Sequence, residues 1–419
     1  MYYILSVFIM RKEVEELLKE YNELKGLNLS FNLARGKPNK EQLDLSNGLL
    51  DIFDSGSNFT DEAGLDVRNY GEPTGIKEAK ELFGAILDID PNNIVLWGNS
   101  SLHGIFEFIS RSYTHGVNGS TPWSKLNEVK WLCPVPGYDR HFKISEYFGM
   151  KMINIPMDEN GPDMDMIEEY VKDPAVKGIW CVPIYSNPTG ITYSDEVVRR
   201  FARLKPAAED FRIYWDCAYI VHHLYNGHND KLLNLYKELE KNHNEDLVYI
   251  FASTSKITFA GSGIAAVAAS KANIKHISAG LSMETICFDR LNQLRHVRFL
   301  KNLDNVNKHM QKHANIIRPK FETVFKWLDK VKDIAWFTKP NGGYFVSIFV
   351  KEGTASKVIA RCKECGLILT DSGCAYPYHN DPKDSHIRLA PTYLENEQIE
   401  PAMKILTLAI RIEYELSND

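Results

Sequence analysis

The segment Phe251–Gly263, FASTSKITFAGSG, sets one lysine, Lys256, among small hydroxyl residues directly before a glycine-rich turn. A lysine amine in that setting can carry an aldehyde cofactor as a Schiff base, while the hydroxyls and amides beside it hold a phosphate. The same residues also suit a solvated surface loop. Asp216 ends the apolar run FRIYWD. A carboxylate there can stay ionised against a protonated ring nitrogen and make that ring a stronger electron sink. It can equally cap a helix beginning in CAYIVHHL. Tyr219, three residues on, could reach a phenolate oxygen of the same ring, or simply pack. Asn187, in YSNPTG, presents an amide donor from an Asn-Pro turn, or forms a structural Asx turn. Tyr138, in PVPGYD, could stack on a planar ring. Arg388 interrupts the apolar run HIRLAP and needs an anion: a substrate carboxylate gripped by both arms, or an internal salt bridge.

These residues need elements to position them. Asn93–Trp97 (NIVLW) predicts a strand running into GNSS, where Ser100 and Ser101 open a helix. Free amides at a helix start form an anion site, although many helices merely have serine caps. Further strands are predicted at Val129–Cys133, Lys151–Ile155, Val176–Pro183, Phe211–Asp216, Leu247–Ala252 and Ile264–Ser270. Helical periodicity falls between them, at 141–147, 164–171, 195–204 and 229–240. This alternation indicates an α/β fold with a largely parallel sheet, whose ligands bind beyond the strand C-termini. GNSS, CPVPGYD, YSNPTG, DCAY and STSK all lie at such ends, which favours one common pocket.

From Val297 a helical region is expected to run to Val331, broken near Pro319. An α+β region follows, with strands at 343–350, 367–370 and 386–389 and a last helix at 397–414. A chain of 419 residues exceeds one ordinary core and implies a large and a smaller domain. The expected division is 1–45, an N-terminal helix and active-site loop packing on the small domain; 46–297, the large cofactor-binding domain; and 298–419, the small domain.

A net charge of −6 without a basic tract argues against nucleic acid. The opening MYYILSVFIM is too short to span a bilayer and lacks signal-peptide flanks. It reads as a misassigned start upstream of Met10, a packing arm, or a patch covered in an oligomer. The odd number of cysteines, seven, fits buried free thiols in a reducing compartment. A cytoplasmic protein without metal is expected, and the pair Cys362–Cys365 reads as part of a helix.

The motifs LARGKP, NYGEPTG, GNSS, CPVPGYDRHF, SNPTG, YWDCAY, STSKITFAGSG, NQLRHVRFLKN, KPNGGYF and YPYHNDPKDSHIRLAP occur in this order. With them the chain resembles the fold-type I pyridoxal-phosphate aminotransferases of aspartate aminotransferase type, and most of all a divergent bacterial branch. The resemblance covers nearly the whole chain from Met10. It implies a mostly parallel seven-stranded sheet in the large domain, and pyridoxal 5′-phosphate as cofactor. It makes Lys256 the Schiff-base lysine and proton shuttle, with Asp216 on the ring nitrogen. Asn187 and Tyr219 then bind the phenolate oxygen, and Tyr138 stacks on the ring. Ser100, Ser101, Ser253 and Ser255 surround the phosphate, joined by Tyr70 from the neighbouring subunit of a homodimer. Arg388 binds the substrate α-carboxylate beneath a loop that Gly36 lets approach.

One position departs from the family pattern. Many members carry a phosphate-clamping arginine eight residues after the lysine, where this chain has Ile264; Ser262 and nearby amides are the expected replacement. For a distal substrate carboxylate the candidates are Arg35, Arg68 and Arg140, or Arg290 and Arg295 from the partner chain. The implied reaction is transamination, with L-aspartate and 2-oxoglutarate as the leading pair. Other amino acids, a C–S lyase or a decarboxylase use the same early chemistry. A transcriptional regulator would need a DNA-binding module for which the N-terminal segment is too short.

Overall fold

Strands buried on both faces need apolar side chains on both, and the central runs of this chain supply them. In the computed structural model the backbone is described for residues 2–418, and side chains for residue 12 and residues 14–418. Val176–Cys181, Arg212–Asp216 and Val248–Ser253 are buried at every position. Ile179, Cys181, Ile213, Trp215, Val248 and Ile250 face one apolar cluster. Trp180, Tyr214, Tyr249 and Phe251 face another on the opposite side. That period-two alternation is what a sheet covered by helices on both faces requires.

All seven expected strands form, in the order Ile94–Leu96, Ala265–Ala268, Val248–Ser253, Arg212–Asp216, Val176–Cys181, Lys130–Val135, Lys151–Asp158. An eighth, the two-residue Gly161–Pro162, extends the far edge antiparallel to its neighbour. The central pairs are parallel, whereas Ala265–Ala268 runs antiparallel to both of its neighbours. A smaller antiparallel sheet orders Trp336–Phe337, Val346–Phe349 and His386–Leu389, with Ser347 opposite Arg388. Phe31–Asn32 pairs in parallel with Leu367–Ile368, which ties the N-terminal segment to this region.

Several helical expectations change, and the helix expected at 229–240 forms only over Leu235–Lys241. The chain turns at Lys301 (φ 62°) between helices Arg290–Leu300 and Leu303–Leu328. The second helix then runs through Pro319 without a break. Proline removes one helical N–H, yet Val324, Phe321, Ile317 and Leu328 on that helix are buried in the smaller-domain core, and their packing outweighs the loss. The first helix spans Tyr2–Lys25. The packing-arm reading of its first nine residues concerns side chains outside the described residues. Among the described residues, no helix is long and apolar enough to cross a membrane.

Candidate active site

Lys256 follows the strand Val248–Ser253 in a turn that hydrogen bonds hold from several sides. The Thr254 amide donates to the Ile264 carbonyl at 2.9 Å, and the Ile264 amide donates to Thr254 Oγ1 at 3.0 Å. Three buried histidines support the next residues in succession. His222 Nε2 lies 3.3 Å from the Lys256 carbonyl, His309 Nε2 2.8 Å from the Ile257 carbonyl, and His296 Nε2 2.9 Å from Thr258 Oγ1. With its backbone fixed, Lys256 extends Nζ to 5.0 Å from the Tyr219 ring centroid. Burial lowers the amine's pKa below its ordinary value, partly countered by the charge of Asp216. A larger share of the amine is therefore neutral than in an exposed lysine.

Asp216 ends its strand and is followed by a turn, not a helix, so it caps nothing. Its Oδ2 lies 3.4 Å from His141 Nε2, a charge-pair distance without hydrogen-bond alignment. Its Oδ1 is buried and has no hydrogen-bond partner among the described residues. His141 stacks on Trp180 at 4.7 Å and meets Tyr138 edge-on at 4.9 Å. Its place one helical turn beyond Tyr138 in Asp139–Tyr147 was a usable signal.

Beside Lys256 lies a cleft of about 710 Å³, bordered by Tyr138, Asn187, Tyr219 and Arg388 and by the N-terminal loop carrying Arg35 and Gly36. Arg388 Nη1 donates to Asp139 Oδ1 at 3.1 Å and to Asn187 Oδ1 at 3.3 Å, and Nη2 donates to Thr370 Oγ1 at 3.2 Å. The internal salt bridge weighed from sequence therefore exists, and its acid is Asp139. Nε of the same guanidinium is buried without a partner. A Cβ on Gly36 would stand 2.3 Å from Phe345 Cζ, so only glycine lets the loop lie on that ring. Burial raises the pKa values of Tyr138 and Tyr219, which keeps both as neutral hydroxyl donors.

The serines gather outside the cleft lining. Ser100 is an N-cap residue whose hydroxyl makes no cap bond, with Ser101 opening the helix Ser101–His115. Ser253 donates to Ser255 Oγ at 3.0 Å. A Cβ on Gly263 would lie 3.0 Å from the Asn99 carbonyl and 3.4 Å from the Ser255 amide, so GNSS and FAGSG abut. Ile264 joins an apolar core cluster. Tyr70 stands apart, 72% exposed.

Of the distal-carboxylate candidates, Arg35 and Arg140 line the cleft and are exposed. Arg68 does not line it: it pairs with Asp66 at 2.5 Å and lies over Phe59. Arg290 is buried against Asp61 at 2.7 Å and donates to the Asn69 and Tyr70 carbonyls. Arg295 bonds Ser262 within its own chain. A second cavity of about 680 Å³, near Tyr193 and Trp336, contains none of these groups.

The family model "Aspartate amino-transferase" matches residues 9–416. An aminotransferase-like relative from Mycolicibacterium smegmatis is 45% identical over 383 residues, covering 90% of this chain and 89% of the relative. The aspartate aminotransferase of Corynebacterium glutamicum is 42% identical over 393 residues, covering 93% and 90%. A crystal structure of an aspartate transaminase from Corynebacterium glutamicum superposes with a TM-score of 0.95 at 40% identity, covering 98% of this chain and 97% of that one. With a lysine turn, an orphaned buried carboxylate and an arginine-lined cleft on this sheet, the chain belongs to the aspartate aminotransferase family of fold-type I pyridoxal-phosphate enzymes and catalyses transamination.

Proposed function

We propose that the cleft transaminates L-aspartate with 2-oxoglutarate, giving oxaloacetate and L-glutamate. The observation that carries the substrate choice is charge. Arg35, Lys37, Arg140 and Lys143 border the cleft in addition to Lys256 and Arg388, against the carboxylates of Asp139 and Asp371. That excess of cations suits a substrate with two carboxylates. The kinship with the Corynebacterium enzyme supports the same choice.

The donor set fits pyridoxal phosphate. When bound, the cofactor supplies an aldehyde that condenses with amines and a ring that accepts the electron pair left by Cα–H cleavage. The orphaned Oδ1 of Asp216 is the acceptor for a protonated ring nitrogen, and the other carboxylate oxygen lies 3.4 Å from His141 Nε2. Asn187 and Tyr219 serve the phenolate oxygen, and Tyr138 covers the ring. Ser100, Ser101, Ser253, Ser255 and Ser262 form the phosphate cup, with Tyr70 of the partner subunit completing it in a homodimer.

Arg388 takes the substrate α-carboxylate in competition with Asp139, and Arg35 and Arg140 are the distal-carboxylate residues. Lys256, whose amine pKa burial lowers, removes the proton from substrate Cα and redelivers it. Donor and acceptor occupy one cleft in turn, so the kinetics are ping-pong. Seven free cysteines, six of them buried, accord with a cytoplasmic protein. The domain division at 45 and 297 belongs to the same reading.

The test is an absorbance titration of the cofactor-loaded protein with a panel of amino acids. Aspartate and glutamate should convert the cofactor band to that of the amine form, and oxaloacetate and 2-oxoglutarate should reverse it. Conversion by alanine or aromatic amino acids alone would overturn the substrate choice. Pyruvate and ammonia from a sulphur amino acid, without an oxo acid, would overturn transamination as the main reaction.

A further inference from the structure

Position 264, where the resemblance implies a phosphate-clamping arginine in many members, is occupied by a core residue. Ile264 is 3% exposed, packs into the apolar cluster beneath the sheet, and has its amide tied to Thr254 Oγ1. An arginine there would bury a charge in hydrocarbon.

A different guanidinium reaches the same loop. Arg295, on the helix Arg290–Leu300, donates from Nη2 to Ser262 Oγ at 2.9 Å and to Asn292 Oδ1 at 2.6 Å. Asn292 fixes the loop from the same helix, its Nδ2 donating to the Gly263 carbonyl at 3.0 Å. Gly263 in turn abuts the Ser255 amide and the Asn99 carbonyl. The Arg295 Nε is buried without a partner, and the guanidinium's hydrogen bonds go to Ser262 and Asn292. Its contacts are a hydroxyl and an amide, both neutral. A partly buried guanidinium with a spare N–H and no carboxylate is a cation waiting for an anion. The hydroxyl it holds, that of Ser262, is one of those assigned to a phosphate.

We infer that Arg295 supplies, from a helix 31 residues beyond Ile264, the positive charge that grips the cofactor phosphate, acting beside and through Ser262. The inference rests on the phosphate-cup reading above. It also removes Arg295 from the distal-carboxylate candidates.

The test uses the full-length chain freed of cofactor. It is titrated by absorbance with pyridoxal phosphate and, separately, with pyridoxal, which lacks the phosphate. Arg295→Gln should weaken pyridoxal-phosphate binding by at least about tenfold, the scale of a lost charged hydrogen bond, and leave pyridoxal binding within about twofold. Arg295→Lys should fall between the variant and the native chain, and Ser262→Ala should show a smaller loss of the same kind. Retained pyridoxal binding reports a folded pocket. Three results overturn the inference: unchanged pyridoxal-phosphate affinity in Arg295→Gln, equal losses for both compounds, or a raised KM for aspartate with cofactor affinity intact. A native chain that binds pyridoxal as tightly as pyridoxal phosphate overturns the cup itself, and the inference with it.

Discussion

At the scale of single residues, the proposed site leaves selected polar atoms unpaired. Asp216 is 4% exposed, with one oxygen facing His141 and the other free. Replacing it with asparagine removes the charge while keeping the shape. A hydrogen bond to a charged group is worth about 1.5–3 kcal/mol, so Asp216→Asn should lower kcat/KM by roughly ten- to hundredfold with an unchanged melting temperature, measured by coupled assay and calorimetry. Arg35 and Arg140 test specificity. Alanine at the residue that binds the distal carboxylate should raise the KM for aspartate by about ten- to hundredfold, the worth of a charge-assisted hydrogen bond, and leave alanine turnover alone. Lys256, Asp216, Asn187 and Arg388 were legible from residue type and place in the motif. Asp139 was not, because its importance lies in the arginine it touches across the fold, and His141 offered only its place one turn beyond Tyr138.

At the scale of elements, strand ends carry the candidate residues, and the helices behind them bond the turn that follows. Asp216 and Lys256 sit at the ends of adjacent parallel strands, with Asp216 paired to Phe251 in register. The helix Leu303–Leu328 sends His309 to the Ile257 carbonyl, and His313 lies 3.2 Å from His309. Gln42, in the helix after the N-terminal loop, donates to Tyr344 at 2.9 Å and lies 3.3 Å from His313. The lysine turn, the long helix and the loop over the cleft thus share one buried polar chain. Gly36→Ala should displace that loop from Phe345, lowering stability by about 1–3 kcal/mol and raising the KM for both substrates, as read by urea unfolding and steady-state kinetics.

At the scale of the whole molecule, burial of titratable groups makes stability depend on pH. Burial pushes His222 and His313 down to about 3 and His296 to about 4. In the unfolded chain each takes up a proton near pH 6.5, whereas in the folded chain each stays neutral until far lower pH. The unfolded state therefore binds more protons in this window, and stability is lost as pH falls from about 6.5 toward 3. The urea midpoint should drop steadily over that range, and His313→Gln should flatten the slope. The proposed homodimer has its own signature. Tyr70, Met283 and Ile286 are 72%, 84% and 61% exposed in the single chain. Arg290 fixes the turn that presents Tyr70. Sedimentation should give twice the chain mass, and Tyr70→Phe should keep that mass while weakening cofactor binding.

The sequence by itself determined the fold class and the family, and it named the lysine and the carboxylate that the structure brings near one another. Alternating apolar runs and motif order are local properties, written in consecutive residues. Tertiary structure decided which groups compensate for one another. It placed Asp139 on Arg388, three histidines against the lysine turn, and Arg295 on the loop before Ile264. Those pairings join residues from tens to hundreds of positions apart. No period or spacing encodes them, because they arise only when packing brings distant polar groups together out of water.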